Sequence, residues 1–305
     1  MLSVIVPCYN EEEAVSKFYP ELKKALEEIH IVYEILFIDD GSKDNTVKEC
    51  LKLKQSDTNI RIVSFSRNFG KEAGILAGLK QSKGDYVAIM DADLQDPPSL
   101  LPEMYKTVRG QEYDSVATRR VSRKGEPVIR SFFARKFYKL INKMIEVEIV
   151  DGARDYRIMS RRMVDAVLSM SEYNRFSKGI FAWVGFKTKY IEFENVERVA
   201  GETKWSFWGL FKYAIDGIVG FTTAPLRIAT YTGTLVSIFG FIWMLFIVIK
   251  ALVVGDPVAG YPSLIAIICL LGGIQLLVIG IVGEYLGRAY METKRRPNYI
   301  IKEIL

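Results

Sequence analysis

The front of the chain alternates between short apolar runs and longer segments in which apolar residues recur every three or four positions. The short runs predict four buried β-strands, at Leu2–Val6, Tyr33–Ile38, Ile60–Phe65 and Tyr86–Met90. The longer segments predict helices between them, at Glu11–Ile29, Asn45–Leu53 and Lys71–Lys80. Pro7 is expected to end the first strand, because proline has no N–H to donate to a sheet. Strands that alternate with helices predict an α/β fold, with a mostly parallel sheet and helices on both faces.

The back of the chain has a different pattern, with two long stretches that contain no charged residue. The stretch 228–249 has 22 such residues and the stretch 257–283 has 27. About 20 apolar residues are enough to cross the hydrocarbon core of a bilayer. We therefore predict a hairpin of two transmembrane helices, at about 228–250 and 262–284. The alternative, a pair of core helices in a soluble protein, rarely leaves every helix face uncharged over such a length.

Basic residues near these stretches predict the orientation of the hairpin. Lys204, Lys212 and Arg227 precede the first stretch, and the second is followed by Arg288, Lys294, Arg295, Arg296 and Lys302. The connecting segment has only Lys250 and Asp256. The positive-inside rule therefore places both termini, and the front of the chain, in the cytoplasm. The apolar run at the N-terminus is too short for a signal peptide and has no basic residue before it.

Composition narrows the chemistry further. Half of the residues are hydrophobic and 25% are charged, which excludes an intrinsically disordered chain. Three widely spaced cysteines exclude a disulfide framework, and a single histidine excludes a histidine-rich metal site. A metal ion in this chain would be held by carboxylates. The net charge of +5 is modest, and no nucleic-acid partner is expected.

Three of the predicted strands end in polar clusters, which are Tyr9-Asn10-Glu11, Asp39-Asp40 and Asp91-Ala92-Asp93. The carboxyl ends of parallel strands meet at one edge of a sheet, and ligands bind there. Two carboxylates two residues apart, such as Asp91 and Asp93, can hold Mg²⁺ or Mn²⁺ together with phosphate oxygens of a substrate. A lone Asp-x-Asp is more often solvated charge, and Asp39 or Asp40 could instead cap the helix that begins at Asn45.

Further motifs follow in order along the chain. They include Val6-Pro7-Cys8-Tyr9-Asn10-Glu11-Glu12, Asp39-Asp40-Gly41-Ser42, Ser66-Arg67-Asn68-Phe69-Gly70-Lys71, Asp91-Ala92-Asp93-Leu94-Gln95-Asp96-Pro97-Pro98, Gly152-Ala153-Arg154-Asp155-Tyr156-Arg157, Gly201-Glu202-Thr203-Lys204-Trp205-Ser206 and Gly283-Glu284-Tyr285-Leu286-Gly287-Arg288. Together they resemble the family 2 glycosyltransferases that act on polyprenyl phosphates. The likeness is greatest to the bactoprenol glucosyltransferase (GtrB-like) group, which is related to dolichol-phosphate mannose synthase. The resemblance implies a GT-A fold, which is Rossmann-like, plus a C-terminal transmembrane hairpin.

The resemblance also implies a division of the chain into four parts. Residues 1–200 would form a cytoplasmic GT-A catalytic domain, and residues 201–227 an amphipathic linker at the membrane interface. Residues 228–288 would contain the two transmembrane helices, and residues 289–305 would form a basic cytoplasmic tail. The protein would then be a multi-pass protein of the bacterial plasma membrane, and its hairpin could also support a homo-oligomer.

The family pattern assigns roles to individual residues of this sequence. The nucleotide and donor sugar would contact Pro7, Tyr9, Asn10, Glu11, Asp39, Asp40, Lys71, Asp91, Ala92 and Arg119. Mg²⁺ or Mn²⁺ would be bound by Asp93, Gln95 and Asp91, and the acceptor phosphate by Arg198, Lys204 and Arg154. The catalytic residues would be Asp93 and Asp155, with Asp155 acting either as a base or as a group that orients the sugar.

Three of these assignments have simpler alternatives. Arg119 could lie in an ordinary solvated loop, and Lys204 could be an interfacial side chain with its charge in water. Asp155 could form a structural salt bridge with Arg154 or Arg157. These alternatives stay open at the level of sequence.

The activity that the resemblance implies is an inverting transfer of a hexose, glucose as first choice, from a UDP-sugar to undecaprenyl phosphate. The lipid-linked sugar would serve the modification of cell-surface glycans. UDP-N-acetylglucosamine and GDP-mannose are alternative donors. A processive polysaccharide synthase would carry a Gln-x-x-Arg-Trp motif, which this sequence lacks. A flippase or binding subunit for lipid-linked sugars, a protein of a different class, would leave the Asp-x-Asp unexplained.

Overall fold

The computed structural model describes residues 1–120, 152–170, 172–194, 222–254 and 260–305, together with residues 142, 150 and 219. The chain forms two compact units. The first contains Met1–Gly217 and Arg296–Leu305, and the second contains Ile218–Arg295. The sequence analysis placed residues 289–305 in a separate tail, whereas the last ten of them belong to the first unit.

The first unit is built around an eight-stranded sheet. Its strands are β1 (Leu2–Cys8), β2 (Tyr33–Asp39), β3 (Ile60–Phe65), β4 (Tyr86–Ile89), β5 (Ser115–Arg120), β6 (Ala153–Ser160), β7 (Thr188–Phe193) and β8 (Ile301–Ile304). They lie in the order β7-β5-β6-β4-β1-β2-β3-β8. Strands β6 and β8 run antiparallel to their neighbours, and the other pairs are parallel. The predicted mostly parallel sheet is therefore confirmed.

Six helices of the first unit are described, and they pack around this sheet. They are α1 (Glu12–Ile29), α2 (Thr46–Ser56), α3 (Lys71–Gln81), α4 (Leu101–Arg109), α5 (Arg161–Ser169) and α6 (Ser177–Trp183). Helix α1 buries a stripe of apolar side chains at helical spacing: Ala14, Val15, Phe18, Leu22, Ala25 and Leu26. Helix α3 lies very close to β1, since a Cβ at Gly78 would overlap the side chain of Ile5. This close packing fixes the direction of α3 and places its first residue, Lys71, at the carboxyl edge of the sheet.

Strand β1 does not end at Pro7 as predicted, but continues to Cys8. The carbonyl of Ile5 accepts a hydrogen bond from the N–H of Met90 at 2.9 Å, on the side of β1 that faces β4. Pro7 lies two residues further along and faces the same side, beyond the end of β4 at Ile89. Because β4 has already ended at that point, the proline removes no hydrogen bond of the β1–β4 pair.

The second unit consists mainly of α7 (Ala224–Val254) and α8 (Tyr261–Thr293). Both helices contain windows long and apolar enough to cross a membrane, with mean hydropathies of 1.2 for Ala224–Trp243 and 1.7 for Leu270–Thr293. At most 6% of either window is buried, so these are not the core helices of a soluble protein. The hydroxyl of Tyr285 donates to the carbonyl of Thr222 at 2.6 Å, which ties the segment before α7 to α8.

Candidate active site

The carboxyl edge of the sheet gathers the polar clusters that the sequence predicts to meet. Strand β1 lies between β4 and β2 and is parallel to both, so the C-terminal clusters of the three strands lie at the same edge. Strand β6 runs the opposite way and therefore begins at this edge. Its register pairs Arg157 with Ile89, which places Asp155 level with Asp91. Residues far apart in the sequence are thus brought to one rim.

Lys71 connects two of these strands. Its Nζ lies 2.8 Å from a carboxylate oxygen of Asp91 and 2.6 Å from Oδ2 of Asp155. Burial alone would lower the pKa of Lys71, but the two carboxylates raise it above its usual range. Burial alone would raise the pKa of Asp155, but Lys71 and Lys178 hold it well below its usual range. Asp155 is therefore ionised at neutral pH, and its salt bridge is with Lys71 and not with Arg154 or Arg157.

Glu72, the residue after Lys71, faces a different neighbour. Its Oε2 accepts a hydrogen bond from the N–H of Ser177 at 3.0 Å and another from the Ser177 hydroxyl. Burial raises the pKa of Glu72 to about 7. In the first turn of α3, Lys71 thus binds Asp91 and Asp155, and Glu72 binds the start of α6.

The loop after β4 is held together by Arg154. Its Nε donates to Oδ1 of Asp96 at 2.9 Å, and its Nη2 donates to Oε1 of Gln95 at 3.3 Å. Burial raises the pKa of Asp96 to about 6. Oδ1 of Asp93 accepts the backbone N–H of Gln95 at 3.1 Å, which turns the loop back on itself. Arg154, which the sequence analysis assigned to the acceptor phosphate, therefore orders the Asp-x-Asp loop in this structure.

Asp39 and Asp40 anchor two neighbouring loops. Asp39 accepts from the N–H of Ser42 at 3.1 Å and from the hydroxyl of Ser64 at 2.8 Å. The carboxylate of Asp40 accepts the backbone N–H groups of Phe69 and Gly70 at 2.6 and 2.8 Å. Neither aspartate caps α2, so that alternative is wrong. Their contact with a nucleotide stays a prediction.

Asn10 and Glu11 join the loop after β1 to the loop after β2. The N–H of Asn10 donates to the hydroxyl of Ser42 at 3.0 Å, and the N–H of Glu11 donates to the hydroxyl of Thr46 at 2.8 Å. Asn10 has a φ of 52°, a left-handed conformation that asparagine tolerates better than most residues. These bonds shape the rim next to Pro7 and Tyr9, which are both half-buried.

Two other predicted residues lie in defined positions, and two fall outside the described part of the chain. Ala92 is buried between the two aspartates of the Asp-x-Asp. Arg119 lies near the end of β5 and not in a loop, with its Nη1 3.5 Å from Oε1 of Glu192. Both side chains of this ion pair are accessible to solvent, so the pair adds little stability. Arg198 and Lys204 lie outside the residues that the structure describes.

Comparisons with known proteins identify the family. A family model described as "Glycosyl transferase family 2" matches residues 3–168, and one described as "GtrB C-terminal hairpin" matches residues 224–289. The chain belongs to glycosyltransferase family 2. Putative glycosyltransferase CsbB of Bacillus subtilis is 47% identical, over 99% of this chain and 92% of that protein. The bactoprenol glucosyl transferase of Shigella phage SfV is 42% identical, over 99% of this chain and 98% of that protein.

A prophage bactoprenol glucosyl transferase homolog of Escherichia coli is likewise 42% identical, over 99% of both chains. These matches extend through the hairpin, so the similarity covers both units. Family membership, together with the mixed sheet, confirms the GT-A fold and the two-helix hairpin that the resemblance implied. The match to the hairpin model also supports the association of this glycosyltransferase with a membrane.

The site of this glycosyltransferase suits a divalent cation that is bound jointly with a substrate. Among the described residues there is no group of three or more histidine, cysteine, aspartate and glutamate side chains that would enclose an ion. The loop contains the carboxylates of Asp91 and Asp93 and the amide oxygen of Gln95. In this structure Asp91 also binds Lys71, and Oε1 of Gln95 also accepts a hydrogen bond from Arg154. Mg²⁺ and Mn²⁺ commonly take one or two carboxylates and complete their shell with phosphate oxygens and water. The donor set therefore fits such an ion when a diphosphate is present.

The bonds made by Lys71, Asp96 and Glu72 were missed by sequence reasoning. Lys71 was assigned to the donor only by resemblance, and nothing local indicated that it bridges Asp91 and Asp155. Asp96 was part of a quoted motif, but its role as the partner of Arg154 depends on a residue 58 positions away. The local signal at Asp96 is the apolar Pro97-Pro98 that follows it, and this does not identify a partner for the carboxylate.

Proposed function

We propose that this glycosyltransferase transfers a hexose, glucose as first choice, from a UDP-sugar to a polyprenyl phosphate such as undecaprenyl phosphate. The observation that carries the proposal is the Lys71–Asp91–Asp155 cluster at the carboxyl edge of the sheet, in a chain that also has the GtrB-type hairpin. The cluster combines a fixed cation with carboxylates where nucleotide sugars would bind, and the hairpin accounts for a lipid acceptor. Relatives named bactoprenol glucosyl transferase support the pairing.

The donor would occupy the rim formed by the loops after β1, β2 and β4. Asp93, Asp91 and Gln95 would hold Mg²⁺ or Mn²⁺, which supplies positive charge next to the diphosphate leaving group when bound. Lys71 adds a cation beside Asp91 that the chain itself provides. Arg154 keeps the loop in shape through Asp96, so that its carboxylates are positioned before the donor arrives.

The salt bridge between Asp155 and Lys71 favours the orienting role for Asp155 over the role of a general base. A useful general base has a pKa near the working pH, and that of Asp155 is held far below it by Lys71 and Lys178. The acceptor needs little help, because a phosphate monoester has its second pKa near ~6 and is largely dianionic in the cytoplasm. We therefore assign Asp155 to orienting Lys71 and the sugar.

The bond changes follow from this assignment. An oxygen of the acceptor phosphate attacks the anomeric carbon, and the bond from that carbon to the donor diphosphate breaks. The electron pair of that bond leaves with the nucleoside diphosphate, and no proton has to be removed from the acceptor. A single displacement of this kind inverts the anomeric centre.

The proposal also concerns the side of the membrane on which the reaction takes place. It places the first unit (Met1–Gly217 and Arg296–Leu305), which we call the catalytic unit, on the cytoplasmic face. The basic residues before and after the hairpin favour that side. Arg198 and Lys204 are proposed as cations for the acceptor phosphate near the interface. UDP-N-acetylglucosamine and GDP-mannose remain the alternative donors, because the proposed contact of Asp155 with the sugar does not by itself distinguish these hexoses.

The direct test uses the full chain, purified in detergent and supplied with undecaprenyl phosphate and Mg²⁺ or Mn²⁺. A panel of labelled UDP-glucose, UDP-N-acetylglucosamine and GDP-mannose is compared. We expect label to enter the lipid fraction with UDP-glucose, and the product to have the inverted anomeric configuration. Lipid binding without any transfer from the three donors would contradict the proposal and favour the non-catalytic class.

Lys71 variants test the cluster that carries the proposal. We expect Lys71→Met to lower kcat/KM by roughly 100-fold, because two carboxylates lose a charge-assisted partner each. Lys71→Arg keeps the charge and should recover part of the activity. Lys52→Met, which removes a largely exposed lysine that pairs with Glu49, is the matched control. Equal activity of Lys71→Met and wild type would show that the cluster has no part in turnover.

A further inference from the structure

The end of the chain is built into the catalytic unit. Strand β8 pairs antiparallel with β3 at the edge of the sheet. The N–H of Leu305 donates to the carbonyl of Ile62 at 2.8 Å, and the N–H of Ile62 donates to the carbonyl of Leu305 at 2.9 Å. The N–H of Ser66 donates to the carbonyl of Ile300 at 3.0 Å. The residues that follow the hairpin in the sequence are therefore held along β3 from Ile62 onward.

Tyr299 strengthens this attachment with its ring. The ring stacks on Phe65, with centroids 5.0 Å apart and planes inclined by 12°. The Nζ of Lys80, near the end of α3, lies 5.7 Å from the centroid of the Tyr299 ring. Phe65 is itself fully buried, so the stacking joins the C-terminal segment to the core of the sheet.

Asn298 reaches a different part of the catalytic unit. Its Nδ2 donates to the carbonyl of Glu172 at 3.2 Å and to the carbonyl of Tyr173 at 2.9 Å. These two carbonyls belong to the loop that leads into α6, which begins at Ser177. A side-chain amide that binds two successive carbonyls fixes the path of that loop, because both bonds need one backbone geometry.

Helix α6 follows the loop that Asn298 binds, and it contacts residues next to the active site. Ser177 bonds to Glu72, the neighbour of Lys71. Nζ of Lys178 donates to the carbonyl of Ala153 at 3.0 Å, and the ring of Phe181 lies 3.9 Å from the guanidinium carbon of Arg157. Helix α6 thus contacts β6 on both sides of Asp155 in the sequence, and α3 beside Lys71.

The length of α6 makes its position depend on such contacts. It has seven residues, and isolated helices shorter than about 12–15 residues are marginal in water. The helix is therefore held by its tertiary bonds and by the loop that precedes it. A loop that is fixed by Asn298 gives α6, and with it Glu72 and the backbone of Ala153, a defined position.

We propose that Asn298 is a positioning residue for the transferase reaction, which aligns Lys71 with Asp155 by fixing the loop before α6. The inference rests on the proposed function, since it concerns the Lys71–Asp155 pair of that same site. It links catalysis to the segment that directly follows the hairpin unit, which ends at Arg295. Asn298 itself contacts neither donor nor acceptor in this scheme.

The variant that tests this is Asn298→Asp in the full-length chain. Aspartate has the same shape as asparagine but no N–H to donate, so both bonds to the loop are lost. We expect kcat to fall about tenfold, the effect of losing one or two hydrogen bonds, with the Kd for UDP changed less than twofold. Asn298→Gln keeps the amide and should recover part of kcat. Lys302→Ala, an exposed change on β8, should behave like wild type.

A double-variant cycle separates positioning from a general loss of stability. If Asn298 acts through Ser177 and Glu72, the double variant Asn298→Asp/Glu72→Gln should have about the same kcat as the less active of the two single variants. A combined loss equal to the product of the two single losses would overturn the proposal, as would wild-type kcat in Asn298→Asp. Ser177→Ala provides a second route if Asn298→Asp is unfolded at the assay temperature, and it should show the same kcat-specific loss.

The controls keep this inference distinguishable from the proposed function. Failure of the wild-type chain to glycosylate polyprenyl phosphate would contradict the proposed function alone. The Asn298 variants would then be compared by their rate of UDP release from UDP-glucose in water, which needs the same Lys71–Asp155 alignment. Equal rates of UDP release in wild type and Asn298→Asp would refute the positioning role in that case.

Discussion

The two units of this chain are both rich in apolar residues but place them in opposite environments. In the catalytic unit, Phe18 and Phe37 are completely buried. In the hairpin unit, Leu235 is 70% exposed and Leu276 is 72% exposed. Burying apolar surface is worth roughly 25 cal/mol per Å², so side chains exposed in this way need a lipid environment. The catalytic unit buries its apolar side chains against one another, whereas the apolar side chains of the hairpin are suited to contact with lipid.

Charged residues show the reverse contrast. The catalytic unit buries charges in pairs, such as Arg154 with Asp96 and Arg61 with Glu34. The hairpin has none across residues 257–283. A buried ion pair tolerates the loss of water best when its hydrogen bonds are complete. Lys71 bonds to both Asp91 and Asp155, whereas Arg154 bonds to Oδ1 of Asp96 and leaves the buried Oδ2 without a partner among the described residues. The comparison indicates that the first unit contains the reactive side chains, whereas the second unit associates the protein with a membrane.

The largest expected effect concerns the chemistry of the catalytic unit. Asp93→Ala should reduce turnover at least about 100-fold, because a divalent ion loses its proposed carboxylate ligand. The measurement is sugar transfer at saturating donor, with thermal unfolding as a check on folding. Excess EDTA should have a similar effect on the wild-type chain, reversed by added Mg²⁺ or Mn²⁺. Near-normal turnover in Asp93→Ala would remove the metal role from this loop.

Deleting the hairpin tests the division into units directly. A chain ending at Gly217 lacks β8 and Tyr299, so we expect its melting temperature to be lowered by roughly 5–10 °C. A second chain replaces residues 218–295 with a flexible linker of about 20 residues and keeps 296–305. That chain should bind UDP like the full protein, measured by calorimetry, and should handle the lipid acceptor poorly. Equal stability of the two shortened chains would show that β8 is dispensable.

Lys204→Ala tests the predicted link between the units, in a segment outside the described residues. A charge-assisted hydrogen bond contributes about 1.5–3 kcal/mol, so kcat/KM for polyprenyl phosphate should fall roughly 10- to 150-fold. UDP affinity should change much less, and Lys204→Arg should recover part of the loss. If the whole defect lies in UDP-sugar binding, Lys204 belongs to the donor site instead.

The last expected effect concerns stability and not turnover, and it is a pH dependence that arises at Glu72 in the catalytic unit. Glu72 has its pKa raised by burial to about 7 in the folded protein, against 4.5 ordinarily. A raised pKa gives stability that is fully present below about pH 4.5 and is lost as the pH rises through 7.

Wild type should therefore become less stable relative to Glu72→Gln between about pH 5 and pH 8. The size of the change is of the order of 2–3 kcal/mol, at about 1.36 kcal/mol for each pKa unit. Melting temperatures of both proteins across this range are the measurement. Parallel curves for wild type and variant would mean that Glu72 titrates normally.

The sequence by itself determined those features that depend on neighbours a few positions apart. Apolar periodicity placed the first four strands and three helices within a few residues of their observed bounds. The reason is that burial of an element produces a pattern of apolar residues within that element's own sequence. Length and absence of charge identified the hairpin helices. The Asp-x-Asp and the other strand-end clusters pointed to the correct edge of the sheet, because parallel strands end at the same side.

Only the tertiary structure decided which of those side chains bind each other. Lys71 and Asp155 are 84 positions apart, and they meet because β6 runs antiparallel and enters the sheet at its carboxyl edge. Strand β8 is short and half polar, and it becomes a strand because the edge of β3 offers free N–H and C=O groups. The local sequence pattern indicates whether a residue is buried. Which side chain it binds depends on the order and direction of the strands, and these are set by contacts across the whole fold.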